Sequence, residues 1–150
     1  MDFLKFSSLN KEDLFLVEKA FKSAENSISD KGHKVGCAIL DANGNIHVGA
    51  TNVRSRVIGS TCAERMAMDS VWFKKQTPKI CVLVGKFNRS GWSDDLICTP
   101  CGVCLEMFFE SINDFGLEDL PFICAAWDRS RILKINLSEL YPQIGKTSRK

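Results

Sequence analysis

The chain has 150 residues, 45% of them hydrophobic and 25% charged, the composition of one globular domain large enough to build its own core. Twenty Lys and Arg against eighteen Asp and Glu leave a formal charge of +2, which argues against a strongly basic nucleic-acid binder. No apolar run approaches the roughly 20 residues of a membrane span, and the opening MDFLKFSSLNKEDL lacks the apolar stretch and cleavage site of a secretory signal. The expected location is therefore the cytoplasm.

Asn10 to about Ser29 predicts an amphipathic helix, with a capping residue, Glu12 and Asp13 in the first turn, and apolar Leu14, Val17, Phe21 and Ala24. Val35 to Leu40 and Ile46 to Ala50 are strand-like, and the Asn43-Gly44 pair between them predicts a tight antiparallel hairpin. Thr51 to Thr61 is a polar loop bearing arginines, Cys62 to about Lys74 has helix composition, and Ile80 to Val84 reads as a buried strand. Phe87 to Thr99 reads as a surface loop. Pro100, tolerated just before or within a first helical turn, leads a third helix to about Ile112.

Phe122 to Ala126 and Ile132 to Ile135 are strands joined only by Trp127 to Arg131. That link is too short for a crossover helix, so the two are antiparallel if they are neighbours. A short helix, Leu137 to Tyr141, and a basic tail, Lys146 to Lys150, close the chain. This order predicts one α/β domain over residues 1–150, a three-layer α/β/α arrangement around a five-stranded mixed sheet.

Seven cysteines, an odd number, point to metal or thiol chemistry rather than a disulfide framework. Cys37, Cys81 and Cys124 lie in apolar strand patterns and read as core packing. Cys62 and the Cys101-x-x-Cys104 pair each stand where a helix begins. Cys101 and Cys104 are one turn apart, so both sulfurs can reach one ion while Cys62 approaches from another helix N-terminus. Three thiolates with one open position describe a catalytic zinc site. Arg65 offsets its negative charge, and Glu64, too close to Cys62 to bind the same ion easily, reads as a proton shuttle. The open alternative is Cys98-Thr-Pro-Cys101 as a redox pair, or Cys98 as a fourth ligand of a structural zinc.

Cys62-Ala63-Glu64 paired with Pro100-Cys101-x-x-Cys104 resembles the cytidine deaminase superfamily, specifically its short three-cysteine class, over roughly Val35 to Pro142. The resemblance implies hydrolytic replacement of an exocyclic amine on a nucleoside base, with zinc as cofactor and a homotetramer whose chains complete one another's pockets. It implies that Glu64 moves the protons, and that the Cys101 N–H and the Ala63 C=O hold the hydroxyl and amino groups. Editing enzymes of the superfamily place a helix where this chain has only Trp127 to Arg131, so nucleic acid is not the expected substrate.

The departures fall on the family's substrate contacts. The Asn-x-Glu pair that holds ribose in the cytidine enzymes reads Asn52-Val53-Arg54 here. The aromatic residue two positions before Val-Gly corresponds to His33, and the usual arginine after the second zinc cysteine is Leu105. Glu139-Leu140-Tyr141-Pro142 matches the family's C-terminal pattern without its phenylalanine. An arginine facing the pocket, Arg54 or Arg56, favours a carboxylate or phosphate on the substrate, as in the sister group of blasticidin S deaminases. The plain alternative makes both arginines solvated loop residues. His47 reads as structural, and Trp92 and Trp127 as surface or interface residues.

Overall fold

The structure, a computed structural model, describes residues 2–141, so the basic tail and Pro142 lie outside the described residues. The strands are β1 (Phe3–Lys5), β2 (Lys34–Asp41), β3 (Ile46–Ala50), β4 (Pro78–Lys86), β5 (Pro121–Ala125) and β6 (Arg131–Asn136). The helices are α1 (Lys11–Ala24), α2 (Ala63–Phe73), α3 (Gly102–Asp114) and α4 (Leu137–Leu140). One mixed sheet runs in the order β1-β6-β5-β4-β2-β3. Among the named strands of the described residues, only β4 and β5 pair in parallel, because the connection between them carries α3 as a crossover helix. As the short link requires, β5 and β6 are antiparallel.

Six strands replace the five expected. The additional strand, Phe3-Leu4-Lys5, is exposed along its length and pairs antiparallel with β6, Phe3 opposite Leu133 and Lys5 opposite Arg131. Three residues are too few to show an alternation, so only the partner edge makes this segment a strand. α1 also ends at Ala24, short of Ser29. Beyond it, the Ile28 N–H donates to Thr51 O and Val53 N–H donates to Ile28 O, drawing the chain out of the helix.

The two sheet faces are covered differently. On one, α1 buries Val17, Ala20, Phe21 and Ala24 against Ala38, Val82, Val84, Ile123 and Ile132. On the other, α2, α3 and α4 cover Cys37, Ile39, Cys81, Leu83, Cys124 and Leu133. The alternation along β4 explains why Ile80 to Val84 reads as an unbroken apolar run: this strand is covered on both sides. Two glycines bring the helices down onto the sheet. A Cβ at Gly36 would lie 2.0 Å from Ala20 O on α1, and one at Gly49 would lie 2.1 Å from Ala63 O in the first turn of α2.

The β2–β3 hairpin turns through Gly44 at φ +88°. Asp41 closes it by accepting at Oδ1 from the N–H groups of Asn43 (2.9 Å) and Asn45 (3.0 Å). Its Oδ2 lies 2.8 Å from His47 Nε2, and His47 Nδ1 is 2.8 Å from Ser70 Oγ on α2. Asp41 and His47 are both buried, so this chain of polar groups ties the hairpin to the second half of α2. No helix among the described residues is long and apolar enough to cross a membrane.

Candidate active site

The site begins at two helix N-termini. Cys62 is the N-cap of α2 and Cys101 the N-cap of α3, while Cys104 lies within the first turn of α3. Uncapped N–H groups and the positive ends of both helix dipoles therefore surround the sulfurs and favour thiolates there. The Sγ atoms of Cys62, Cys101 and Cys104 lie within 4.8 Å of one another. A tetrahedral ion with Zn–S bonds of about 2.3 Å would set them about 3.8 Å apart, so small side-chain rotations suffice to close the site. A hydrogen bond with the Cys104 thiol, a weaker one with Cys101 and the charge of Arg65 bring Cys62 down to about 7, against burial and the Glu64 charge. The same hydrogen bond with Cys62 and burial push Cys104 up.

Glu64 follows in the first turn of α2 and is buried, 5% exposed. Burial raises its pKa, with its own backbone N–H and the Cys104 thiol pulling the other way. A buried carboxyl whose affinity for a proton is raised, next to three thiols, is equipped for proton transfer. Gly49 positions this turn, because the Ala63 carbonyl packs onto its α-carbon. Cys62, Cys104 and Arg65 border a cleft of about 490 Å³ that also meets Val53, Val57 and Val103.

Cys98 stays outside the converging group. Its buried thiol packs on Gly85, where an added Cβ would lie 2.8 Å from Sγ, and burial holds it protonated. All seven cysteines are free thiols. Cys37 and Cys81 touch at 3.5 Å beneath α2 and α3, and burial raises Cys81 and Cys124, which suits packing rather than reactivity.

The expected substrate contacts come from loops. Asn52 exchanges backbone hydrogen bonds with Thr61 at 3.0 and 2.9 Å, which sets it beside Cys62, and its Oδ1 is buried without a partner among the described residues. Arg54 and Arg56 are exposed on the loop that Ser60 closes, Ser60 Oγ accepting from Arg54 N at 2.9 Å. His33 precedes β2 and is half-buried. Its Nδ1 accepts from Asn88 N at 3.0 Å, and its ring meets the edge of Phe87, centroids 5.2 Å apart. Leu105 is partly buried against the core. Glu139 serves the capping box of α4 with Asn136, and the Tyr141 hydroxyl donates to Glu106.

One group escaped the sequence reading. Phe87, Arg89 and Trp92, all within the loop after β4, form a packed cluster with His33: Trp92 meets Phe87 at 4.8 Å, and the Arg89 guanidinium lies 4.8 Å from the Phe87 ring and 5.5 Å from Trp92. The interleaved arginine and aromatics of Phe87-Asn88-Arg89-Ser90-Gly91-Trp92 were the available signal. Trp127, by contrast, packs edge-on against Phe21 of α1.

The model of the family described as the cytidine and deoxycytidylate deaminase zinc-binding region matches residues 10–116. A blasticidin-S deaminase of Bacillus cereus is 26% identical over 145 residues, covering 93% of this chain and 96% of that protein. Among solved structures, a cytidine deaminase from Burkholderia pseudomallei superposes with a TM-score of 0.72 at 20% identity, over 90% of this chain and 98% of the other. One from Bacillus anthracis gives 0.63 at 17% identity, over 92% of each. The structural likeness establishes a shared fold.

Proposed function

The chain belongs to the cytidine and deoxycytidylate deaminase zinc-binding family, and from that premise we propose a zinc-dependent hydrolytic deaminase acting on a free pyrimidine nucleoside, cytidine or deoxycytidine, or on a nucleoside analogue. The exocyclic amine leaves as ammonia and a carbonyl takes its place. The observation that carries this reading is the meeting of three thiols from two helix N-termini with one buried carboxylate, Glu64.

The donor set fits zinc, since three sulfur ligands satisfy a catalytic site and leave one position open. When bound, zinc acidifies a water and so supplies the nucleophile. Cys62, Cys101 and Cys104 would hold it, with Arg65 offsetting the excess of thiolate charge. Glu64 would take a proton from the water at its carboxylate and deliver it to the ring nitrogen, then take the second proton from the hydroxyl added to the ring carbon and deliver it to the amine, which leaves as ammonia while the carbonyl forms. The Cys101 N–H and the Ala63 C=O are assigned to the hydroxyl and amino groups of the reacting centre. Asn52, whose buried Oδ1 has no partner among the described residues, is assigned to a sugar hydroxyl, and His33 to the pocket wall.

A second reading, deamination of a cytosine nucleoside carrying an anionic group, is favoured by the likeness to a blasticidin-S deaminase over nearly the whole chain. Arginine at 54, with Arg56 nearby, suits such a group. We assign the chain to the cytoplasm and to a homotetramer as one domain over residues 1–150. Val57 (91% exposed), Ile58 (96%) and Val103 (72%) support the assembly, because that much apolar surface beside the cleft favours cover by another copy.

The deciding experiment is a screen of zinc-loaded protein against cytidine, deoxycytidine, their monophosphates, blasticidin S and guanine, following ammonia and the base absorbance. Turnover of a cytosine nucleoside is expected. Stoichiometric zinc with no ammonia from any of them overturns the reading.

A further inference from the structure

β3 forms one edge of the sheet, and that edge is open. Its hydrogen-bonded pairs with β2 fall on odd positions, because the Thr51 N–H donates to Val35 O and the Asp41 N–H to Asn45 O at the two ends of the ladder. The N–H and C=O groups of Ile46 and Val48 therefore point away from β2, and they meet no partner among the described residues. Sheet edges are ordinarily blunted by shortness, by lysine or by proline. The other edge, β1, is three residues long and ends on Lys5. β3, Ile46-His47-Val48-Gly49-Ala50, is longer and has no lysine, acid or proline.

A groove runs beside this edge, between β3 and α1. Two hollows of about 530 and 510 Å³ meet at Phe15, Gly44 and Ile46 and follow α1 from Lys11 to Ser23. That is about 18 Å of helix at 1.5 Å per residue, the length of five or six residues of extended chain. The floor is apolar, with Phe15 58% and Val48 46% exposed. Since His47 reaches Ser70 on α2, Val48 faces the opposite side of the sheet, away from the thiols. The rim is basic: Lys11, Lys19 and Lys22 border the groove against one carboxylate, Glu12. None of the three lysines has an ion pair among the described residues, and Lys19 lies 5.1 Å from the centre of the Phe15 ring. The other acids of α1 are engaged with cations that do not line the groove, Asp13 with Lys134, Glu18 with Arg129 and Glu25 with Lys34.

The open ladder selects the class of partner, because outward N–H and C=O groups at strand spacing are matched by another extended backbone. The lysines select its charge. A second copy of this chain would bring its own three lysines against these, and like charges across an interface repel. We propose that β3 and the groove along α1 are a docking surface for an extended acidic segment of a partner protein. The segment adds to the sheet beside β3, sets apolar side chains on Phe15, Ile46 and Val48, and sets carboxylates against Lys11, Lys19 and Lys22.

The test uses the full-length protein and two fluorescein-labelled, end-blocked octapeptides, and needs neither zinc nor turnover. Thr-Glu-Thr-Val-Thr-Val-Thr-Glu puts its valines and carboxylates on one face of a strand, and Thr-Lys-Thr-Val-Thr-Val-Thr-Lys reverses the charge. Fluorescence anisotropy should show saturable binding of the acidic peptide and weaker binding of the basic one. The double variant Lys19→Glu, Lys22→Glu should bind the acidic peptide about tenfold less tightly, two attractions having become two repulsions. Hydrogen exchange reads the edge itself: the Ile46 and Val48 amides should slow in the presence of the acidic peptide, while the His47 amide, already bonded to β2, should not change. The proposal is overturned if the acidic peptide does not bind, if the double variant binds it as tightly as wild type, or if the Ile46 and Val48 amides exchange alike with and without it. Protection of those two amides in the free protein that is lost on dilution overturns it in favour of a second copy. Binding of phosphatidylserine vesicles by wild type and not by the double variant, with no binding of the peptide, overturns it in favour of a lipid surface.

Discussion

At the bottom of the site, regular structure sets every group: two N-caps, one position in a first helical turn, and a buried glutamate on a helix pinned to the sheet by Gly49. At the rim, the groups proposed to face a substrate come from the loop after β3 and from the residue before β2. On the proposed mechanism the bottom has little freedom to vary, because a displaced sulfur would lose the ion and a displaced carboxylate the proton path. The rim can exchange an acidic ribose contact for an arginine, or place a cation in a different loop, without disturbing a helix. Chemistry and specificity are thereby separable, and the substitutions below test that separation.

The largest effect belongs to the thiols. Cys62→Ser, Cys101→Ser or Cys104→Ser each leaves two protein sulfurs, so bound zinc should fall from about one per chain to near none, with activity lost. Cys98→Ser should retain the metal, since its sulfur packs on Gly85 outside the converging group. Metal analysis of the four purified variants decides it: retention in Cys62→Ser together with loss in Cys98→Ser makes the site structural.

Next comes Glu64→Gln, which keeps the shape and the zinc but removes the group that carries protons. Turnover should drop at least about 10²- to 10⁴-fold. Steady-state rates on protein with stoichiometric zinc check this, and an unchanged rate would remove Glu64 from the mechanism.

The two glycines sharpen the comparison because their local defects are alike and their distances from the site are not. Each added methyl would meet a helix carbonyl, so Gly36→Ala and Gly49→Ala should each cost at least about 1–3 kcal/mol of stability by overpacking. Only Gly49→Ala pushes on the turn that carries Cys62 and Glu64, so only it should also release zinc more readily to a chelator. Equal zinc release from both variants would mean that α2 is not positioned through Gly49.

The same division explains what could be read from the chain. Side-chain type at helical spacing encodes the Cys62, Cys101, Cys104 and Glu64 group, and a helix beginning is written locally, so the bottom of the site was legible before any fold was known. β2 through β6 were legible because their apolar runs must be buried. β1 was not, since three exposed residues become a strand only through β6. The cluster of His33, Phe87, Arg89 and Trp92 was hidden for a related reason. His33 and Phe87 are 54 positions apart and meet only through the pairing of β2 with β4. The interleaved Phe87, Arg89 and Trp92 hint at a cluster, but nothing in their spacing brings His33 to it.

The smallest predicted effect lies away from the site, in the polar chain that fastens the hairpin to α2. Burial alone would raise the Asp41 pKa, but the His47 hydrogen bond and the N–H groups of Asn45 and Asn43 outweigh it and hold the carboxyl below its ordinary value. A carboxylate depressed in the folded state contributes stability that is fully present above its unfolded pKa of about 3.9 and is lost as pH falls through the folded value. Asp41→Asn removes this titration while preserving size, and should be less stable than wild type near neutral pH because a buried acceptor for two backbone N–H groups and His47 is weakened. Thermal melts of both proteins, taken from pH 6 downwards, should therefore converge on acidification, most of the convergence falling below about pH 4. Zinc release through thiolate protonation is common to the two and cancels in their difference. A difference in Tm that stays constant across that range would show that Asp41 is already protonated in the folded protein and that the hairpin is held by its backbone turn alone.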